Sequence, residues 1–224
     1  MSPRSSSVGA RSLRSMRLTH LGHACLLVET GGQRVLIDPG VFSPGFVDVT
    51  GLDVILVTHQ HPDHLDLQRL PAMLEANPQA RLYAEPQAAA VMAEAGVASE
   101  HTMAGQVLTI GRVQITPVGE KHALINEALP RIGNLGLVLR SESEPSLFHP
   151  GDAYDGEPGQ IDILALPLNA PWDGQSRHRG FRPADLAAGQ CSDPRHAAQR
   201  DRPPALSVPR AELRADGHGG ARPL

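Results

Sequence analysis

The sequence predicts an α+β fold in which β-sheets carry helices on their outer sides. Short apolar runs of strand length recur between residues 24 and 166, whereas only two segments show the spacing of amphipathic helices. The apolar runs come in groups that suit antiparallel pairing, and the helical segments interrupt them only occasionally. This order argues against a strictly alternating βαβ fold.

The predicted elements are spread over most of the chain. Apolar runs predict strands at residues 24–28, 34–37, 54–57, 81–83, 107–110, 113–118, 136–139, 146–148 and 161–166. Gly111 separates two of these runs as a hairpin turn does. Helical patterns cover residues 66–76 and 86–95, and Gly96 ends the second of them.

The composition narrows the class of protein. Of the 224 residues, 41% are hydrophobic, and no apolar run reaches the ~20 residues that cross a bilayer, so no membrane partner is expected. The net charge of −4 argues against a nucleic-acid partner. Cys25 and Cys191 cannot form a disulfide framework, which indicates a cytoplasmic protein. The 11 histidines point to metal binding or acid–base chemistry.

Three stretches of different composition divide the chain. Residues 1–16 are rich in Ser and Arg without the apolar segment of a secretory signal, so we expect a disordered leader, with Met16 as an alternative start to Met1. Residues 17–174 carry the predicted domain. Residues 175–224 hold nine Arg and five acidic residues without apolar periodicity, which is typical of a disordered tail.

A histidine-rich segment, residues 59–64 (HQHPDH), directly follows the apolar run at residues 54–57. His59 and His61 lie two residues apart, so in an extended segment their rings share one side and can bind one ion. Asp63 and His64 stand at the turn into the next helix, where they can face a second ion. Imidazole suits Zn²⁺, and the carboxylates extend the choice to Mn²⁺ or Fe²⁺. The segment therefore predicts a site for two metal ions.

This segment resembles the HxHxDH signature of the metallo-β-lactamase superfamily, and the resemblance continues along the domain. Residues 21–28 (LGHACLLV) resemble the opening strand pair of that family, and residues 36–40 (LIDPG) resemble its Asp-Pro turn. Residues 148–152 (FHPGD) resemble its Gly-Asp motif, and residues 166–172 (LPLNAPW) a strand end of its ascorbate-phosphate lactonase-like branch. The resemblance implies an αββα sandwich with a dinuclear metal site at one edge.

The resemblance also implies a role for each ligand. Three histidines would bind the first ion, an aspartate and a histidine the second, and one aspartate would bridge them: His59, His61 and His122; Asp63 and His64; Asp152. Asp63 would in addition be catalytic, orienting the nucleophile or accepting its proton. His101 is the alternative to His122, but it lies between a helix and a strand, and we expect it on the surface.

Four further residues lie close to these motifs. We expect His20 and His23 to be strand-end histidines with backbone partners, although either could approach the site. His149 is expected to donate a hydrogen bond to a carboxylate beside Asp152. We expect Cys25 to be a small buried hydrophobic side chain rather than a nucleophile.

The C-terminal part of the sequence lacks one element that the family has. The resemblance implies a final helix and a final strand, and the strand would carry a Pro-Ile-His-Asp-like segment whose histidine completes the second ion's ligands. The histidines in this part of the chain are His178, His196 and His218, and none of them follows an apolar run. A permitted back-translation of residues 190–201, read one nucleotide later, encodes Ser-Ala-Pro-Ile-His-Asp. We therefore expect either a frameshift near residues 173–175 or a genuine disordered extension, and a sandwich that lacks its last strand and helix.

The implied function is that of a metal-dependent hydrolase. A metal-activated water would attack an ester, lactone or phosphodiester bond of a small-molecule substrate. The alternative is a relative that binds metal but is catalytically impaired because its C-terminal part is altered. Substrate, metal and oligomeric state are left open by the sequence.

Overall fold

The computed structural model describes residues 16–167, which lie within one compact unit. Eleven strands and two α-helices make up this part of the chain. The strands are β1 (Arg17–His20), β2 (Leu26–Thr30), β3 (Gln33–Ile37), β4 (Val54–Val57), β5 (Arg81–Ala84), β6 (Glu100–His101), β7 (Leu108–Ile110), β8 (Val113–Val118), β9 (Gly136–Ser141), β10 (Leu147–His149) and β11 (Ile163–Leu164). The helices are α1 (Leu70–Ala76) and α2 (Pro86–Glu94), and a short 3₁₀ helix covers Pro44–Phe46.

The strands form two sheets. The first has the order β1-β2-β3-β4-β5-β6, antiparallel from β1 to β3 and parallel from β3 to β6. The second has the order β11-β10-β9-β8-β7 and is antiparallel except for the pair β10–β11. In the first sheet the carboxyl ends of the parallel strands therefore lie at one edge.

Strand β4 shows how the layers stack, because it is buried on both faces. Ile55 and Val57 pack against the helices, in a core that includes Met73 and Met92. Val54 and Leu56 point the other way, into a second core between the two sheets. The described residues thus form a layer of helices, a sheet and a second sheet, and the predicted α+β sandwich is confirmed.

The structure corrects several predicted boundaries. The strand predicted from residue 24 begins at Leu26, because Gly22–Cys25 form a turn closed by a hydrogen bond from Cys25 N to Gly22 O. The helix predicted from residue 66 begins at Leu70, because the Asp66 carboxylate accepts the backbone N–H groups of Gln68 and Arg69 and holds a turn there. The last strand is shorter than predicted, and β1 and β6 were not predicted.

The expected leader, apart from Met16, lies outside the described residues, as do the tail at residues 175–224 and the last strand and helix. The same holds for the end of the LPLNAPW segment, from residue 168, and for His178, His196 and His218. Among the described residues no helix has the length and apolar character needed to cross a membrane.

Candidate metal centre

The histidine-rich loop begins where β4 ends, at the edge of the first sheet. The loop is packed against the turn that follows β3: Val41 N donates to Pro62 O at 2.8 Å, and Asp66 N donates to Pro39 O at 2.9 Å. Gly40 makes this contact possible, since a Cβ atom there would lie 1.7 Å from the carbonyl oxygen of Asp63. The backbone of the loop is therefore fixed by its neighbour.

The second sheet delivers two more side chains to the same place. Strands β8 and β10 each run antiparallel to β9, so both end at the same edge. His122 follows β8 and Asp152 follows β10. The Asn134 side chain holds the second of these loops, because it accepts from Asp152 N at 3.0 Å and donates to Pro150 O at 3.0 Å.

The first group of ligand-type side chains comprises His59, His61, His122 and Asp152. One atom from each lies within 4.8 Å of the corresponding atoms of the others. His59 Nε2 is 3.1 Å from His61 Nδ1, and Asp152 Oδ2 is 3.4 Å from His122 Nε2. An ion with bonds of about 2.0–2.2 Å holds neighbouring donors roughly 3–4 Å apart. The group has the composition and spacing of a metal site.

The second group comprises His23, Asp63 and His64, again within 4.8 Å of one another. His64 Nε2 lies 4.0 Å from Asp63 Oδ2 and 3.3 Å from Asp152 Oδ1. Asp152 thus directs one oxygen toward each group. This is the arrangement that a carboxylate shared by two ions requires.

The outer nitrogens of the buried histidines are held by hydrogen bonds. His64 Nδ1–H donates to Asp38 Oδ2 at 2.7 Å, and His122 Nδ1–H donates to Ala123 O at 2.8 Å. His59 Nδ1 lies 3.0 Å from the Thr58 hydroxyl, which itself donates to Asp38 Oδ2 at 2.8 Å. With Nδ1 engaged as a donor in each ring, Nε2 is the atom that faces the interior of the site, where a bound ion would take the place of any proton on it. The residues present therefore fit a metal centre.

The electrostatics of the site favour a cation. Burial lowers the pKa of His59, and the nearby His64 adds to this effect, so the His59 ring is neutral at pH 7. Although burial alone would raise it, hydrogen bonds from His122 and His64 hold the pKa of Asp152 well below its usual range. Burial would lower the pKa of His64, but the Asp38 carboxylate outweighs it and raises that pKa to about 10. The space between Asp38 and Asp152 thus stabilises positive charge.

All six residues that the sequence proposed as ligands lie in these two groups. His101, the alternative third histidine, is exposed on β6 and belongs to neither group. His20 has the expected backbone partner, with Nε2 2.7 Å from His23 O. For His23 the same expectation is wrong, because its Nε2 lies 2.9 Å from Asp63 Oδ2.

The structure also corrects the role expected of His149 and adds residues that the sequence did not single out. His149 Nε2 lies 2.9 Å from the backbone oxygen of Ala24, rather than donating to a carboxylate. Cys25 is fully buried, as expected, and burial raises the pKa of its thiol. Asp38 was noted only as part of a turn motif, and Asn134 carried no signal, since their importance rests on contacts between distant segments.

Comparison with known proteins identifies the family. The family model described as the beta-lactamase superfamily domain matches residues 17–178. The chain is similar to the metallo-β-lactamase-fold protein YhfI from Bacillus subtilis, with a TM-score of 0.53 and 18% identity, over 66% of this chain and 69% of that one. The chain belongs to the metallo-β-lactamase superfamily.

The chain is also similar in sequence to curated proteins, one of which is named a metal-dependent hydrolase. It is 31% identical over 150 residues to a UPF0173 metal-dependent hydrolase of Aeropyrum pernix, which covers 61% of each chain. It is 49% identical over 158 residues to protein Rv0786c of Mycobacterium tuberculosis, covering 70% of this chain and 73% of that protein.

Proposed function

We propose that the protein hydrolyses an ester, lactone or phosphodiester bond of a small molecule with the help of two divalent ions, Zn²⁺ in first place and Mn²⁺ or Fe²⁺ as alternatives. The observation that carries the proposal is the position of Asp152 between two groups of ligand-type side chains. His59, His61 and His122 would hold the first ion, Asp63 and His64 the second, and Asp152 both.

Bound divalent ions lower the pKa of water and polarise the oxygen of a carbonyl or phosphoryl group. The chain itself contributes a carboxylate at the open side of the site, since the Asp63 side chain is 17% exposed while that of His64 is 1% exposed. Asp63 can therefore reach both water and substrate, and we assign it the role of orienting the nucleophile or accepting its proton.

A cavity of about 220 Å³ opens beside His61 and His122 and provides room for the substrate. Most of its wall is apolar and comes from the segment between β8 and β9: Ala123, Ile125, Leu129, Pro130 and Ile132. Arg131 also lines the cavity, but its Nε donates to the backbone oxygen of His122 at 2.8 Å. Its Nη2 lies 3.7 Å from Asp155 Oδ2, so the charge of Arg131 is paired. The lining favours a small substrate with an uncharged, apolar group next to the reacting bond.

The proposal is tested with the full chain, stripped of metal by a chelator and reloaded with Zn²⁺ or Mn²⁺. The substrates are bis(p-nitrophenyl) phosphate, p-nitrophenyl butyrate and a δ-lactone. We expect metal-dependent turnover of at least one of them, and a loss of about 10²- to 10⁴-fold in kcat for Asp63→Asn. His101→Ala, which changes a histidine outside the site, should leave the rate unchanged.

The outcomes separate the two functions. Two bound equivalents of metal without turnover of any of the three bonds would favour a catalytically impaired relative that binds metal. No bound metal would refute both. Metal analysis of the purified protein decides between zinc, manganese and iron.

The cellular setting is part of the same proposal. Cys25 is a free, buried thiol, which suits the reducing conditions of the cytoplasm. The net charge of −4 supports a small-molecule substrate rather than a nucleic acid. Fractionation of cells that express the tagged protein would test the location.

A further inference from the structure

His23 occupies an unusual backbone conformation in the turn between β1 and β2. Its φ angle is +45°, and the preceding Gly22 has φ +111°. Few residues other than glycine adopt positive φ, and where they do, the strain is often tied to function. The turn is held in place by the Ser43 hydroxyl, which donates to Gly22 O at 2.6 Å, and by His20, whose Nε2 lies 2.7 Å from His23 O.

The conformation brings the His23 ring to the second group of ligands. Nε2 lies 2.9 Å from Asp63 Oδ2, and the ring meets that of His64 edge to face, with 5.4 Å between the centroids. The ring also packs edge to face against Phe42, with 5.7 Å between the centroids. These contacts restrict the ring to a position in which Nε2 faces Asp63.

We propose that His23 binds the second metal ion through Nε2, together with Asp63, His64 and Asp152. The inference rests on the dinuclear centre proposed above and goes beyond it by naming a ligand that lies far from the histidine-rich loop in sequence. It gives the second ion two imidazoles and two carboxylates. The first ion has three imidazoles and the shared carboxylate.

The distances suit direct binding. One ligand atom of each of His23, Asp63 and His64 lies within 4.8 Å of the ligand atoms of the other two. The separations of 2.9 Å and 4.0 Å from the Asp63 oxygen to the two imidazoles bracket the roughly 3–4 Å between neighbouring donors on one ion. A small rotation of the Asp63 side chain would equalise them.

The proposal changes what the second ion needs from the rest of the chain. With His23 as a ligand, the second ion has four protein donors within residues 16–167. It then requires no histidine from the C-terminal segment, neither His178, His196 nor His218 nor one restored by a change of reading frame.

The test measures metal binding rather than turnover. The full chain is stripped with a chelator and titrated with Co²⁺, following the bound equivalents by elemental analysis and the visible absorption band of the bound ion. The wild type should bind two equivalents. His23→Ala should keep the first and lose affinity for the second by at least about tenfold, with a changed absorption band. His101→Ala is the matched control and should behave as the wild type does.

A second variant distinguishes binding from positioning. His23→Gln keeps a donor for Asp63 but replaces the imidazole by a poorer ligand, so we expect it to weaken the second ion as His23→Ala does. Wild-type affinity and an unchanged band in His23→Gln would show that His23 only positions Asp63 and would overturn the proposal. So would two tight equivalents in His23→Ala. A wild-type chain that binds only one equivalent would instead refute the dinuclear centre itself.

Discussion

Gly40 offers a direct test of how the metal loop is held. It lies in the turn after β3, and the carbonyl carbon and oxygen of Asp63 would lie 2.1 Å and 1.7 Å from a Cβ atom at this position. The φ angle of Gly40 is not positive, so alanine is excluded here only by the space that the backbone of the loop already occupies. Gly40→Ala therefore changes one contact and no ligand.

The size of the effect follows from these distances. Cβ contacts shorter than 3.0 Å essentially do not occur, so the turn and the loop must separate by at least about 1.3 Å. A displacement of about 1 Å at catalytic groups costs roughly 10²-fold in rate, and overpacking costs about 1–3 kcal/mol in stability. We expect Gly40→Ala to lower kcat, or the affinity for metal, about 100-fold.

The assay compares Gly40→Ala with Gly96→Ala, using metal titration, thermal unfolding and hydrolysis. Gly96 has φ +79° and nothing within 4 Å of the added methyl group, so its substitution should cost about 1 kcal/mol through backbone strain alone. Stability would then fall in both variants, but metal binding and turnover only in the first. Wild-type metal affinity and rate in Gly40→Ala would refute the close packing of turn and loop.

Three further predictions concern the site and the tail. Asp38→Asn keeps the left-handed backbone at this position (φ +50°). The aspartate accepts from Thr58 N through Oδ1, and from the Thr58 hydroxyl and His64 Nδ1 through Oδ2, whereas an amide has only one acceptor oxygen and so loses one of these two sets. Metal affinity in a Co²⁺ titration should therefore fall about 10- to 100-fold. Removing metal should lower the thermal midpoint by about 5–10 °C relative to protein with ion at 100 times its Kd, since such an excess stabilises by about 2.7 kcal/mol; an unchanged midpoint would contradict it. If residues after about Gln175 are out of frame, the gene sequence of codons 172–200 should show the shift. A frame-restored chain should then have a higher thermal midpoint and a higher hydrolysis rate than the chain as given. Equal values for the two chains would refute the frameshift.

The fold could be predicted wherever local pattern decides the structure. The apolar runs of β4 and β8 and the helix closed by Gly96 are periodic and well delimited, and the structure has them close to their predicted positions. The two-residue strand β6 has no such pattern, because it exists through its pairing with β5. The start of α1 was wrong because the side chain of Asp66 competes with the helix for backbone N–H groups.

The candidate site shows the same division. Four of the proposed ligands lie within six consecutive residues, so the sequence alone predicts that they bind metal: His59, His61, Asp63 and His64. His23 and Asp38 are distant from that loop, and only the pairing of β2 with β3 and β3 with β4 brings them to it. A histidine with a backbone partner and one that faces Asp63 look alike in sequence. Positive φ angles at both residues are likewise a property of the turns and not of the residue types.

The proposed role of His23 means that closing the core and completing the second ion's ligands depend on different parts of the chain. The resemblance to the superfamily led us to expect that one C-terminal segment would both close the core and complete the second ion's ligands, so that restoring the frame would recover stability and turnover together. If His23 is the ligand, these effects come apart. A frame-restored chain should then gain in thermal midpoint while the Co²⁺ titration of its second site stays the same, because His23, Asp63, His64 and Asp152 already provide four donors. If the affinity of the second site for Co²⁺ instead rises when the frame is restored, the fourth ligand comes from the C-terminal segment. His23 would then only position Asp63.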